Sequence, residues 1–136
     1  MLDFINFFAG GYESEIRRAF HTRCTELDLD LLIVFGRAVE EPHPWGPANN
    51  AIFDLVRPGT VDGVVSISTS IGSYCGPEGM QRFLERYRGL PLCSVGFPLE
   101  GIPSVLVDNE NGMQSVIEHL IEEHGCRRLL FIGGPQ

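Results

Sequence analysis

The sequence contains no lysine; all ten basic residues are arginine. That absence excludes chemistry built on a lysine amine, including the P-loop, Schiff-base formation and the phosphorylation site of response-regulator receivers. Positive charge is scarce altogether. Eighteen acidic side chains outweigh the ten arginines, for a formal net charge of −8. This is the wrong balance for a surface that grips phosphate backbones, so no direct nucleic-acid contact is expected. No run approaches the ~18 apolar residues of a membrane span. Residues 1–9 (MLDFINFFA) are apolar, yet Asp3 interrupts them and no basic stretch precedes them, unlike a signal peptide. No GxSxG elbow, no GxGxxG after a strand and no CxxC pair occurs. Nucleophilic catalysis and a nucleotide cofactor therefore lack their usual signatures. Cys24, Cys75, Cys93 and Cys126 read as small buried hydrophobes in a reducing cytosol. The expectation is a cytoplasmic, non-enzymatic chain without cofactor or membrane partner.

What is present is a single-domain length of 136 residues, 43% hydrophobic and 21% charged, ordinary for a globular protein. Apolar periodicity alternates between strand and helix. Ile16, Ala19, Phe20, Cys24 and Leu27 predict a helix over 12–28. The apolar run 29–35 predicts a strand covered on both faces. A proline-rich loop follows at 36–47, with His43 and Trp45. Ile52, Phe53 and Val56 mark a short helix stopped by Pro58-Gly59. VDGVVSIS (61–68) is the next strand, followed by a small-residue loop to Gly76. Met80, Phe83, Leu84 and Tyr87 mark a third helix, and 92–96 and 105–107 two more strands. Met113, Val116, Ile117, Leu120 and Ile121 stripe a fourth helix ended by Gly125. Residues 129–132 form the last expected strand. This order implies a doubly wound, mostly parallel sheet with right-handed crossovers. Its first strand is short: either residues 2–8 form a truncated strand, or the natural first strand lies upstream of Met1.

The motifs VDGVVSIS (61–68), LPLCSVG (90–96), IPSVLVDNENG (102–112) and HLIEEHGCRRLLFIGGP (119–135) occur here in one order. In combination they resemble the amino-terminal lobe of the sensor domain of Lac-repressor-family regulators, a type I periplasmic-binding-protein-like clamshell. The resemblance spans residues 14–136. GRAVEEPHPWGPANNAIFDLV and YCGP (74–77) are similar to the subgroup attached to diguanylate cyclases, histidine kinases and phosphatases. The resemblance implies one Rossmann-like lobe, 1–136, whose second lobe is absent. It implies a signalling or transcription-regulating role, in which a small polar metabolite, sugar or nucleobase-like, closes two lobes of a homodimer. No DNA-binding segment is present, the family's first strand is largely missing, and half of the inter-lobe site is missing.

Open α/β sheets bind ligands outside the carboxyl ends of their strands. Those loops are 3–11, 36–45, 68–74, 96–100 and 108–111. Asp3 and Phe7 follow the first strand position, where an acid can bond a ligand and an aromatic can stack on one; Phe7 equally covers the sheet edge. Ser68 and Ser70 can bond a polar ligand or serve as turn hydroxyls. Asp108 can accept from a sugar hydroxyl, or cap the helix beginning near Asn109. Asn111 matches a polar position that faces ligand in the resembled family. His119, His124 and Cys126 lie close in sequence, but a five-residue spacing turns the two imidazoles about 140° apart on a regular helix. No metal centre is expected. The alternative to ligand sensing is a self-associating module whose exposed sheet edge recruits another copy.

Overall fold

The computed structural model describes residues 1–4 and 11–133. The chain divides into two compact units, Met1–Leu106 and Val107–Gln136. The first holds β1 (Leu2–Phe4), α1 (Tyr12–Glu26), β2 (Val34–Gly36), α2 (Gly46–Asn50), β3 (Val64–Ile67), α3 (Ser68–Ile71), α4 (Gly76–Leu84), β4 (Leu92–Val95) and β5 (Ser104–Val105). Short 3-10 turns, Ala51–Leu55 and Glu85–Tyr87, extend α2 and α4. The second unit holds α5 (Asn109–Glu122).

The five strands form one sheet in the order β2-β1-β3-β4-β5, and every pairing is parallel. This is the Rossmann-like α/β arrangement expected from the alternation of strands and helices. β1 (Leu2–Phe4) is an interior strand, paired with β2 on one side and β3 on the other. No described helix is long and apolar enough to cross a membrane.

Register assigns the two sheet faces, because side chains alternate along a strand. Leu2 pairs Val34 and Ser66, and Ser66 pairs Ser94; these residues share one face. On that side Leu2, Val34 and Val64 pack with Phe53, Met80, Phe83, Leu84 and Tyr87. Phe83 stands edge-on to both Phe53 and Tyr87, with ring centroids 5.5 and 6.1 Å away. The Tyr87 hydroxyl donates to the Phe53 carbonyl at 3.1 Å, which satisfies its polar tip inside the core. Burial pushes the Tyr87 phenol up to about 12. The opposite face carries Asp3, Phe35, Ile67 and Val95.

Three sequence expectations are corrected. The strand expected over 29–35 forms only at Val34–Gly36. Its β1 neighbour begins alongside it: Met1 donates its amino group to Leu32 and its carbonyl accepts from Val34. Leu29, lacking a ladder, instead closes α1 by donating to Cys24, with Asp28 left-handed at φ 53. The loop expected after Ser68 begins as a helical turn, α3. The final strand expected at 129–132 does not form; Leu130, Phe131 and Ile132 stay exposed and outside any ladder. An apolar run becomes a strand only where an edge is there to pair with it.

Candidate functional site

The strand order reverses between β1 and β3, so their carboxyl ends flank the topological switch point. Polar groups gather there. Asp3 is completely buried, and a buried carboxylate requires a cation or hydrogen-bond donors. It has both. Arg17 Nη1 donates to Asp3 Oδ2 at 2.7 Å, and the Phe4 backbone N–H donates to Oδ1 at 2.7 Å. Arg17 is itself held on three sides: Nη2 donates to Ser14 Oγ at 3.1 Å, and its guanidinium lies 5.8 Å from the Phe35 ring centroid. Across the switch point, Ser70 Oγ donates to Glu13 Oε1 at 3.1 Å. One turn and a half of α1 (Glu13, Ser14, Arg17) thus ties β1, β2 and α3 together. The side chains of this cluster, charged and hydroxylic, stand in fixed geometry with Arg17 partly open to solvent.

Below them lies a second, drier set. Ser94 Oγ is 2.8 Å from Ser68 Oγ and 2.8 Å from the Phe97 carbonyl, and Ser68 Oγ is 3.1 Å from Ser66 Oγ. All three serines are buried. Their hydroxyls satisfy one another and the loop after β4. That loop approaches closely: Gly96 has φ 95, and a Cβ there would come within 2.4 Å of the Thr69 side chain.

The sequence-expected residues therefore part company. Asp3 is at the switch point, but its carboxylate is saturated by Arg17 and the backbone, so it acts there by positioning Arg17. Ser70 belongs to the cluster. Ser68 is buried in the serine chain and faces no solvent. Phe7 lies outside the described residues. Asp108 and Asn111 belong to the second unit. There Asp108 is the N-cap of α5: Oδ1 accepts the Asn111 backbone N–H at 3.1 Å and Oδ2 accepts Asn111 Nδ2 at 2.6 Å. These two bonds hold the Asp108 carboxyl below the usual carboxylate range.

Arg17, Glu13 and Ser14 are the cluster members that sequence reasoning missed. A signal existed. An acid inside the apolar run 1–9 demands a partner if that run is buried, and Ser14 and Arg17 share one helix face at i, i+3.

Other polar groups are structural. Arg37 and Glu41 pair across one turn of chain, and this bond holds the Glu41 carboxyl low. Asn50 Oδ1 accepts the Arg37 N–H at 2.7 Å and Nδ2 donates to Ala38. All four cysteines are free thiols, and burial pushes the Cys75 thiol up, away from thiolate reactivity. A groove of about 670 Å³ lined by Phe20, Cys24, Leu29, Leu32, Val61 and Val65 lies at the strands' amino-terminal entry, away from the switch point.

One geometric expectation is overturned. His119 and His124 do not diverge. Their Nε2 atoms are 3.1 Å apart and their rings meet edge-on with centroids at 4.8 Å. α5 ends at Glu122, so the regular helical step does not extend to His124.

No family model, curated protein or solved structure matches this chain.

Proposed function

We propose that this chain is a non-enzymatic sensing lobe that binds a small polar metabolite at the β1/β3 switch point. In this reading it is one half of a periplasmic-binding-protein-like clamshell that works in a bacterial signalling or transcription regulator. The observation that carries the reading is the cluster Asp3–Arg17–Ser14 with Glu13–Ser70 at the carboxyl ends of β1 and β3. It offers a guanidinium, a carboxylate and two hydroxyls to one ligand, a donor and acceptor set suited to sugar hydroxyls or nucleobase edges. Asp3 would anchor Arg17, so that its fork needs little ordering when ligand arrives. Ligand would act by binding a closed state of two lobes better than an open one, since only differential affinity shifts such an equilibrium.

The test is a thermal-shift screen against sugars, nucleobases and amino acids. A stabilising compound should emerge, and Arg17→Met and Ser70→Ala should each remove its shift. A screen in which nothing shifts the protein, or in which the shift survives both substitutions, contradicts the reading.

A second reading, self-association, draws on a different observation. Within the second unit Val107, the α5 residues Met113 and Val116, and Leu130, Phe131 and Ile132 are all exposed. Apolar surface of this extent favours burial against another chain. Solution mass by sedimentation distinguishes the cases: a homodimer supports self-association, and a concentration-independent monomer removes it.

A further inference from the structure

We infer that the carboxyl end of α5 is a bis-imidazole binding site for a divalent transition-metal ion of the zinc, nickel and copper class, with His119 and His124 as its two protein ligands. The site lies wholly within the second unit and does not rest on the ligand-sensing reading.

The two Nε2 atoms are 3.1 Å apart, the ring centroids are 4.8 Å apart and the rings are nearly perpendicular at 81°. An in-line N–H···N hydrogen bond of that length would set the centroids roughly 5.3 Å apart, because each ring extends about 1.1 Å from its centroid to Nε2. The observed separation is shorter, so the two rings meet at an angle and not in line. Two imidazoles aimed at one cation, with metal–nitrogen bonds of about 2.0–2.1 Å and Nε2 atoms 3.1 Å apart, place their centroids about 4.8 Å apart, matching the observed spacing. The corresponding nitrogen–metal–nitrogen angle is about 98°, between the square-planar and tetrahedral values that copper, nickel and zinc adopt.

The backbone sets this pairing in advance. α5 stops at Glu122, and Gly125 turns the chain in the left-handed region at φ 62. The Gly125 N–H then donates to Ile121 at 3.1 Å and the Cys126 N–H donates to Leu120 at 3.0 Å. These bonds pin the segment carrying His124 beside the last turns of α5. Both rings are exposed, so a hydrated cation reaches them without passing through protein. Glu118, Glu122 and Glu123 outnumber Arg127 and Arg128 in the same stretch, so the local charge opposes cation binding little. Among the described residues no group of three or more His, Cys, Asp or Glu side chains converges, so water completes the coordination shell. Neutral imidazole donates its Nε2 lone pair to the metal while Nδ1 keeps its proton. Bound metal would staple the turn to the helix it terminates.

The test is isothermal titration of the intact chain with Ni²⁺, alongside His119→Gln, His124→Gln and Cys126→Ser variants. All three changes are at the surface or partly buried, and circular dichroism checks that each variant keeps its helix. The proposal expects one Ni²⁺ per chain, weakened at least about tenfold by either histidine substitution and less than about twofold by Cys126→Ser. In proton NMR, substoichiometric Ni²⁺ should broaden the ring signals of His119 and His124 together. Ni²⁺ binding that survives both histidine substitutions, binding lost on Cys126→Ser alone, or no binding at millimolar Ni²⁺ overturns it.

Discussion

Asp3 and Asp108 look alike in sequence: each stands in or just beyond an apolar run, ahead of a helix. Their structural positions are opposite. Asp3 is completely buried and its main partner, Arg17, is 14 residues away on α1. Asp108 is exposed, and both of its partners are atoms of Asn111, three residues on. The first carboxylate holds separate elements together; the second begins one helix. The same chemical group costs several kcal/mol to leave buried and unpaired in one setting, whereas in the other it only satisfies free N–H groups at a helix start. The lesson is that the polar cluster at the switch point is a tertiary construction, whereas the Asp108 motif is local.

Substitutions sharpen that contrast. The largest effect should come from Asp3→Ala, which strands Arg17 beside a buried void. Urea denaturation should show a loss of roughly 2–4 kcal/mol, tempered by the partial solvent access of Arg17. A loss below about 0.5 kcal/mol would mean that the pair is not the link between β1 and α1. Next is Gly96→Ala, which adds a left-handed backbone penalty to a clash with Thr69. The expected loss is about 1–3 kcal/mol by the same measurement. Asp108→Ala should have a smaller and purely local effect, the loss of a helix cap, read as reduced amide protection over the first turn of α5.

The smallest effect is the acid dependence of that cap. The folded Asp108 carboxyl titrates below its unfolded value, so the unfolded state takes up its proton first. Its contribution is therefore complete at pH values above the usual carboxylate range and disappears as pH falls through the lowered folded value. Amide exchange at Asn111 should accelerate over that window in the parent protein. In Asp108→Asn the acceleration should be absent.

The two aspartates also mark what could be read from the chain. The cap function of Asp108 was legible because it needs only Asp, Asn and an amphipathic stripe within a few residues. β3 and β4 were legible as short apolar runs, and the order of elements sufficed for a parallel α/β sheet. Arg17 as the partner of Asp3 was not legible, because it depends on which side of β1 α1 packs. Residues 29–33 and 129–132 have strand composition, yet hydrogen-bonded edges decide strands, and composition does not reveal edges. The meeting of His119 and His124 was hidden for a related reason: a fixed angular step applies only while the helix lasts.

The most direct test of the central claim is chemical-shift mapping by NMR, using the compound that gives the largest thermal shift, at concentrations high enough to detect millimolar binding. The account predicts perturbations concentrated at Glu13, Ser14, Arg17 and Ser70, lost in Arg17→Met. Perturbations centred at the groove beside Phe20, Leu32 and Val65, or absent altogether, would contradict it.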